Sequence, residues 1–289
     1  MKSSDKVIVT CALTGVLTDP NMHPVPVTPR EMADAAEQAY NAGASIVHCH
    51  FRQQGPGMGR FPTWDPDVVA EICGAIRDRV PDMIINMSTG VMGDDISEPV
   101  ACLQRVKPEM AAMNAGTLNY LKIRKDGTWA WPPLIFDNPV SKIEKFLKVM
   151  YDNNIVPECE CFDTGIVRSI PMLEANGLLK SPVDVSLVMG VDSGMPAKPE
   201  WIPLLVNELN PGTTWQVIAI GRTEVWPVLR RAVELGGNAR TGVEDTFYLP
   251  DGQKTSSNGQ LIEALVKIIH ETGREIATTQ EARQIYGLK

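Results

Sequence analysis

Two imidazoles, His48 and His50, stand two residues apart at the end of the apolar run Ser45-Ile46-Val47-His48-Cys49-His50. Successive side chains on a β-strand point to opposite faces, so both histidines face one way and Cys49 the other. Two neighbouring imidazoles with one orientation suit a metal ion; the alternative is a pair of buried histidines satisfied by backbone carbonyls, and a third ligand decides between them. The chain holds only four histidines. His270 falls in a C-terminal helical stretch, and His23, in the loop after the first apolar run, is a rival ligand. Glu244, near the last apolar run, is the best third ligand. Two histidines and one carboxylate fit zinc with an open position and equally fit non-haem iron.

Other chemistry-bearing residues fall at the ends of similar runs. Asn86 and Ser88 are again two apart, and Asn114 closes the next run. In Pro157-Glu158-Cys159-Glu160-Cys161 both carboxylates share one face and both thiols the other, the thiol face being the apolar one. Ile220-Gly221-Arg222 and Arg240-Thr241-Gly242-Val243-Glu244-Asp245 end the last two runs. Arg240 and Glu244 have the same parity, yet four residues of ideal strand separate them by about 13 Å. Both reach one site only if the backbone bends, and Gly242 is the position for a bulge. Taken singly, Ser88 caps the following turn, Asn86 bridges strands and Glu160 salt-bridges Arg240; their convergence on one face favours a shared site.

What must position these residues is an alternation of short apolar runs and longer amphipathic stretches. The runs number eight, at residues 7–13, 45–50, 83–88, 110–114, 156–162, 184–189, 214–220 and 238–243. Helical stretches lie between them at 29–41, 66–80, 97–106, 141–153, 170–176, 198–209 and 225–235. Strands alternating with helices imply a parallel sheet with right-handed crossovers. Eight units in about 250 residues point to one closed (β/α)8 TIM barrel domain over residues 1–289, whose chemistry lies at the carboxyl ends of its strands. An open doubly wound sheet is the alternative, since periodicity does not show closure. Thr28-Pro29-Arg30-Glu31 is a helix start, with an N-cap Thr, a first-turn Pro and an acidic third position, while Gly43, Gly177 and Gly236-Gly237 mark helix ends. Residues 116–139, rich in Trp, Pro and charge, exceed ordinary loop length and form a lid or a subunit contact. Residues 260–272 and 279–286 are extra C-terminal helices that offer further packing to a neighbouring subunit.

The composition narrows the class. Of 289 residues, 44% are hydrophobic and 21% charged, which is ordinary for a soluble globular protein. No apolar run approaches the roughly 18 to 20 residues of a spanning helix, which argues against a membrane protein. The N-terminus lacks the apolar core and cleavage site of a signal peptide, so a cytoplasmic location is expected. Six cysteines are scattered through apolar segments without a CxxC pair, as buried free thiols would be. A net charge of −8 without a Lys/Arg block argues against nucleic acid or an anionic membrane as the main partner.

The motifs together resemble those of the β-keto acid cleavage enzymes, the family typified by 3-keto-5-aminohexanoate cleavage enzyme. The resemblance rests on Thr10-Cys11-Ala12-Leu13-Thr14-Gly15, Val47-His48-Cys49-His50, Met87-Ser88-Thr89-Gly90, Lys107-Pro108-Glu109-Met110 through Asn114-Ala115-Gly116-Thr117-Leu118-Asn119, Val156-Pro157-Glu158-Cys159-Glu160, the loop 190–195, Gly221-Arg222 and Arg240-Thr241-Gly242-Val243-Glu244-Asp245. It spans nearly the whole chain. It implies a (β/α)8 barrel with Zn2+ held by His48, His50 and Glu244, and exchange of a β-keto acid with acetyl-CoA as co-substrate to give acetoacetate and a new acyl-CoA by a Claisen/retro-Claisen route. The catalytic positions implied are Asp245 as base, Arg240 as its holder, Ser88 and Asn114 as oxyanion donors, and Glu160. Ser88, Asn114, Thr14 and Leu17 would bind substrate, and Gly221, Arg222 and the loop 190–195 would meet the CoA phosphates. A homo-oligomer, commonly a tetramer, is also implied. The sequence departs from the family pattern where Leu17 replaces a Glu associated with amino-bearing substrates and Ala112 replaces a Thr, so a neutral or differently recognised tail is expected. Rival functions are a metal-dependent hydrolase or another metal-dependent C–C lyase on the same barrel, or a non-catalytic metal-binding protein. Such hydrolases usually place the H-x-H on the first strand and more His later, whereas the fifth to eighth runs here contain none.

Overall fold

The computed structural model describes residues 6–288. The N-terminal stretch that bears on a signal peptide, up to Asp5, therefore lies outside the described residues. Eight parallel strands, β1 (Val9–Thr14), β2 (Ile46–Cys49), β3 (Ile84–Ser88), β4 (Met110–Asn114), β5 (Val156–Cys161), β6 (Asp184–Met189), β7 (Thr214–Ala219) and β8 (Asn238–Thr241), pair in sequence order. β8 returns to β1 through Ala239↔Val9 and Arg240↔Thr10, so the barrel is closed and an open sheet is excluded. Nearly every strand residue is buried, because side chains fill the inside while helices cover the outside. No helix among the described residues is long and apolar enough to cross a membrane.

The helices are α1 (Pro29–Asn41), α2 (Pro66–Arg79), α3 (Ser97–Val106), α4 (Val140–Asp152), α5 (Thr164–Ala175), α6 (Ile202–Val206), α7 (Val225–Glu234), α8 (Asn258–Glu271) and α9 (Thr279–Tyr286). Thr28 closes a capping box with Glu31 at the start of α1, as its motif requires. α5 begins six residues earlier than the sequence suggests: Asp163 Oδ1 accepts from Ile166 N at 2.8 Å to start it, and Pro171 sits inside the helix instead of opening it. The stretch 198–209 is not one helix. Pro199 starts a 3₁₀ turn, Pro199–Trp201, and only Ile202–Val206 continues as α.

The two ends of the barrel differ. At the amino-terminal end Ile8, Ile46, Ile84 and Met110 pack inside against Ala277, Ala282 and Tyr286, so α9 plugs the barrel of its own chain. The apolar face of α9 is thus covered within its own chain. Residues 116–139 fold out as an antiparallel pair, Leu118–Tyr120 with Leu134–Phe136, at the opposite end. Tyr120 stacks on Trp131 at 5.9 Å, whereas Ile123, Trp129 and Ile135 stay exposed.

Candidate active site

His48 and His50 lie on the inner face at the end of β2, and Cys49 faces the helices, as strand alternation requires. His48 Nε2 is 3.8 Å from Glu244 Oε2, and His50 Nε2 is 3.4 Å from Glu244 Oε1. Ligand atoms about 2.0–2.1 Å from a tetrahedral zinc lie about 3.4 Å apart, so the three groups stand at ligand spacing. Both nitrogens of the buried His48 and Oε2 of Glu244 have no hydrogen-bond partner among the described residues. His48 Nε2 and Glu244 Oε2, unpartnered buried atoms of ligand type 3.8 Å apart, fit a cation. Burial, reinforced by Arg240, holds His48 well below the usual imidazole range, leaving it the neutral ligand that a metal needs. Burial opposes ionisation of Glu244, but Arg240 and the two imidazoles outweigh it and hold the carboxyl well below the ordinary range. His23 does not join this group; it stacks on Phe247 at 3.8 Å between ring centres.

Arg240 organises the other half of the site. Its Nε and Nη2 donate to the two oxygens of Asp245 at 3.1 and 3.0 Å, a bidentate fork, while Nη2 also donates to Glu244 at 2.6 Å and Nη1 reaches Glu160 at 3.5 Å. Burial pushes the Asp245 carboxyl up to about 6 against the pull of Arg240, and burial followed by the charge of Glu158 pushes Glu160 up further. The chain does not reach this arrangement through a bulge at Gly242. β8 ends at Thr241, and Asp245 N and Thr246 N both donate to Gly242 O at 2.9 and 3.0 Å, so a tight turn carries Glu244 and Asp245 back over Arg240. Gly242 serves by close approach: a Cβ there would lie 2.1 Å from Ala12 O. Gly242→Ala is accordingly expected to destabilise the fold by about 1–3 kcal/mol, read as a lower urea midpoint at unchanged m-value.

The remaining sequence candidates are spread around the same mouth. Ser88 and Asn114 are buried at the ends of β3 and β4, and a Cβ at Gly90 would sit 3.5 Å from Asn114 Nδ2 and 3.7 Å from Ser88 Oγ, so both polar groups flank one point. Asn86 bridges strands: its amide donates to Glu158, which also accepts from Ser186 and, at 2.8 Å, from Gln216 Nε2. Thr14 is buried, with its hydroxyl held by Arg52, and Leu17 is 74% exposed at the rim. Arg222 is exposed with its guanidinium 5.1 Å from the Tyr248 ring centre, next to Gly221, whose N–H donates to Asp245 O at 3.2 Å. The six cysteines are buried and free, and none belongs to a ligand-spaced group among the described residues.

Comparison with known proteins decides the family. A model of the family described as beta-keto acid cleavage enzyme matches residues 6–288. The chain belongs to the beta-keto acid cleavage enzyme family. It is 33% identical over 289 residues to the 3-keto-5-aminohexanoate cleavage enzyme of Acetoanaerobium sticklandii, covering 98% of this chain and 99% of that one. It is 30% identical over 285 residues to the 3-oxoadipate:acetyl-CoA acetyltransferase of Cupriavidus necator, covering 97% and 94%. The solved apo structure of ObcA shares the fold, with a TM-score of 0.74 at 20% identity over 91% of this chain and 65% of that chain. The Cupriavidus necator relative is by name an acetyl-CoA acetyltransferase of 3-oxoadipate, and this chain, as a member of the family, is a β-keto acid-cleaving enzyme.

Two residues around this family site escaped the sequence reading. Arg52, just ahead of the turn-forming Gly55-Pro56-Gly57, is buried beneath the rim; its parity with His48 and His50 is the available signal. Lys142 is buried in the first turn of α4, where a lysine normally faces water, and its ammonium donates to Val91 O, Gly93 O and Asp137 O at 2.8–2.9 Å. It ties the loop after Ser88 to the end of the hairpin segment. No sequence pattern announces that contact.

Proposed function

We propose that this chain is a zinc-dependent enzyme that condenses a β-keto acid with acetyl-CoA and yields acetoacetate and a new acyl-CoA. The observation that carries the reading is the ligand-spaced trio His48, His50 and Glu244 set against the Arg240–Asp245 pair. When bound, zinc supplies Lewis acidity toward the keto and carboxylate oxygens of the substrate and a template for them. Asp245 takes the proton from the carbon between those two groups, and its raised pKa makes it a stronger base than an ordinary carboxylate. Arg240 aims Asp245 through the two-point fork and keeps Glu244 ionised as a ligand. Ser88 and Asn114 donate to the oxyanions that develop on the reacting carbonyls. Glu160, on the far side of Arg240, balances the guanidinium and is the reserve base.

Thr14 shapes the pocket wall, Leu17 contacts the substrate tail, and Gly221 and Arg222 lie where CoA phosphates would meet an exposed cation. Residues 1–289 act as one barrel domain in this reading, cytoplasmic and assembled as a homotetramer, with the exposed Ile123, Trp129 and Ile135 available to a subunit contact. A screen of β-keto acids with acetyl-CoA, read as acetoacetate formed, tests the activity. Turnover of any substrate without acetyl-CoA would favour a metal-dependent hydrolase or another lyase instead.

Tail recognition gives a quantitative test. Leucine at position 17 offers apolar contact and no charge for an ammonium tail, so neutral or apolar-tailed β-keto acids are preferred over 5-amino ones. Leu17→Glu is expected to shift the ratio of kcat/KM toward the amino substrate. Because position 17 is 74% exposed, solvent screening limits the change to about 1 kcal/mol, a severalfold effect. An unchanged ratio would remove Leu17 from the substrate pocket.

A further inference from the structure

Arg52 has no role in the chemistry above, yet it is only 1% exposed and among the largest fully buried side chains of the protein. Burying a guanidinium is costly unless its donors are satisfied. Here they are satisfied by neutral acceptors: Nε donates to Thr14 Oγ1 at 3.0 Å, Nη1 to Gly59 O at 2.9 Å, and Nη2 to Thr18 Oγ1 at 2.8 Å and to Gly15 O. Glu244 and Asp19 act on it through space. A lysine, with one compact ammonium, cannot span four acceptors lying in a fork.

The acceptors show what the side chain holds. Three belong to residues 14–18, the segment leaving β1, and the fourth belongs to the loop after β2. Gly15 lies directly against Glu244, since a Cβ on Gly15 would be 2.9 Å from Glu244 Cγ. Leu17 stands in the chain between two residues that Arg52 grips, Gly15 and Thr18. Arg52 itself follows His50 by two residues, so one guanidinium links the strand of two ligands, the backbone packed on the third, and the rim residue facing the tail.

We propose that Arg52 is a positioning residue that fixes the segment 14–18 over the site, seating Glu244 beside His48 and His50 and setting the place of Leu17 at the rim. The proposal rests on Glu244 as a metal ligand and Leu17 as a tail contact. Groups behind a metal site commonly change metal affinity by about 10- to 100-fold when removed. Arg52→Met should therefore weaken zinc binding about tenfold in chelator competition and flatten the preference between neutral and amino-tailed substrates. It should also raise hydrogen exchange at the amides of Met22 and His23, which donate to Asp19 O at 3.0 and 3.1 Å just beyond Thr18, while strands β3 to β7 keep their protection. Arg52→Lys should recover only part of each effect, and Leu17→Glu made in the Arg52→Met background should no longer shift the substrate ratio.

Should Arg52→Met fail to fold, Thr18→Ala, which removes one acceptor, is expected to raise exchange at the same amides. Folded Arg52→Met with wild-type zinc affinity, tail preference and exchange would overturn the proposal. The exchange measurement needs neither zinc nor acetyl-CoA. Wild type lacking acetyl-CoA-dependent turnover would sink the proposed function, whereas unchanged exchange at Met22 and His23 would sink the role of Arg52.

Discussion

Asp245→Asn is expected to keep the metal and the fold while losing about 10²- to 10⁴-fold in kcat, the usual cost of removing a general base. The amide is nearly isosteric and still accepts from Arg240 through its oxygen, but it cannot take up the substrate proton. In wild type both oxygens of Asp245 are committed to the guanidinium fork, and burial raises the affinity of the carboxyl for a proton. The loss should fall on kcat and kcat/KM alike, since the interaction removed is made in the transition state. Deuterium exchange from solvent into the keto acid, measured without acetyl-CoA, isolates the proton step and should drop by a similar factor. Near wild-type exchange would move the base to Glu160, the other carboxylate against Arg240 with a raised pKa.

The barrel was legible because its strands are buried on both faces, leaving short Val/Ile-rich runs whose polar exceptions stand out. His48 and His50, Glu158 and Glu160, and Asn86 and Ser88 were readable as inward pairs by parity alone. Closure was not readable, since it rests on Ala239 meeting Val9 across the whole chain. Parity also failed beyond the strand ends. Glu244 and Asp245 come back over Arg240 through a turn whose hydrogen bonds to Gly242 O have no signature in the residue order, so a bulge was the simplest bend to infer. Arg52 was missed for the same reason: it keeps the parity of the two histidines, but Gly55-Pro56-Gly57 just after it suggests exposed loop, and only the folded chain shows four acceptors closing around its guanidinium. The last helix, α9, is amphipathic in sequence, and nothing in that pattern distinguishes the open end of its own barrel from a neighbouring subunit.

Metal removal is expected to have the second large effect. Purified protein should contain about one zinc per chain, and chelation should abolish turnover, which returns when zinc is added. His48→Ala and His50→Ala should each bring the metal content close to zero, whereas His23→Ala and His270→Ala should keep it: His23 is stacked on Phe247, and His270, on α8, lies 3.5 Å from Glu275. The ionic balance of the site supports a dication. Glu160, Glu244 and Asp245 crowd around the guanidinium of Arg240, and burial together with neighbouring carboxylates raises Glu160 and Asp245 above the usual carboxylate range. Anions crowded in a low-dielectric barrel repel one another, and a divalent ion relieves that repulsion while satisfying His48 Nε2 and Glu244 Oε2. Binding should therefore stabilise the native state independently of catalysis, by about 2.7 kcal/mol at free zinc 100 times its Kd. Zinc should raise the Tm of wild type and leave that of His48→Ala unchanged. Loss of the metal from His23→Ala together with its retention in Glu244→Gln would transfer the third ligand position to His23.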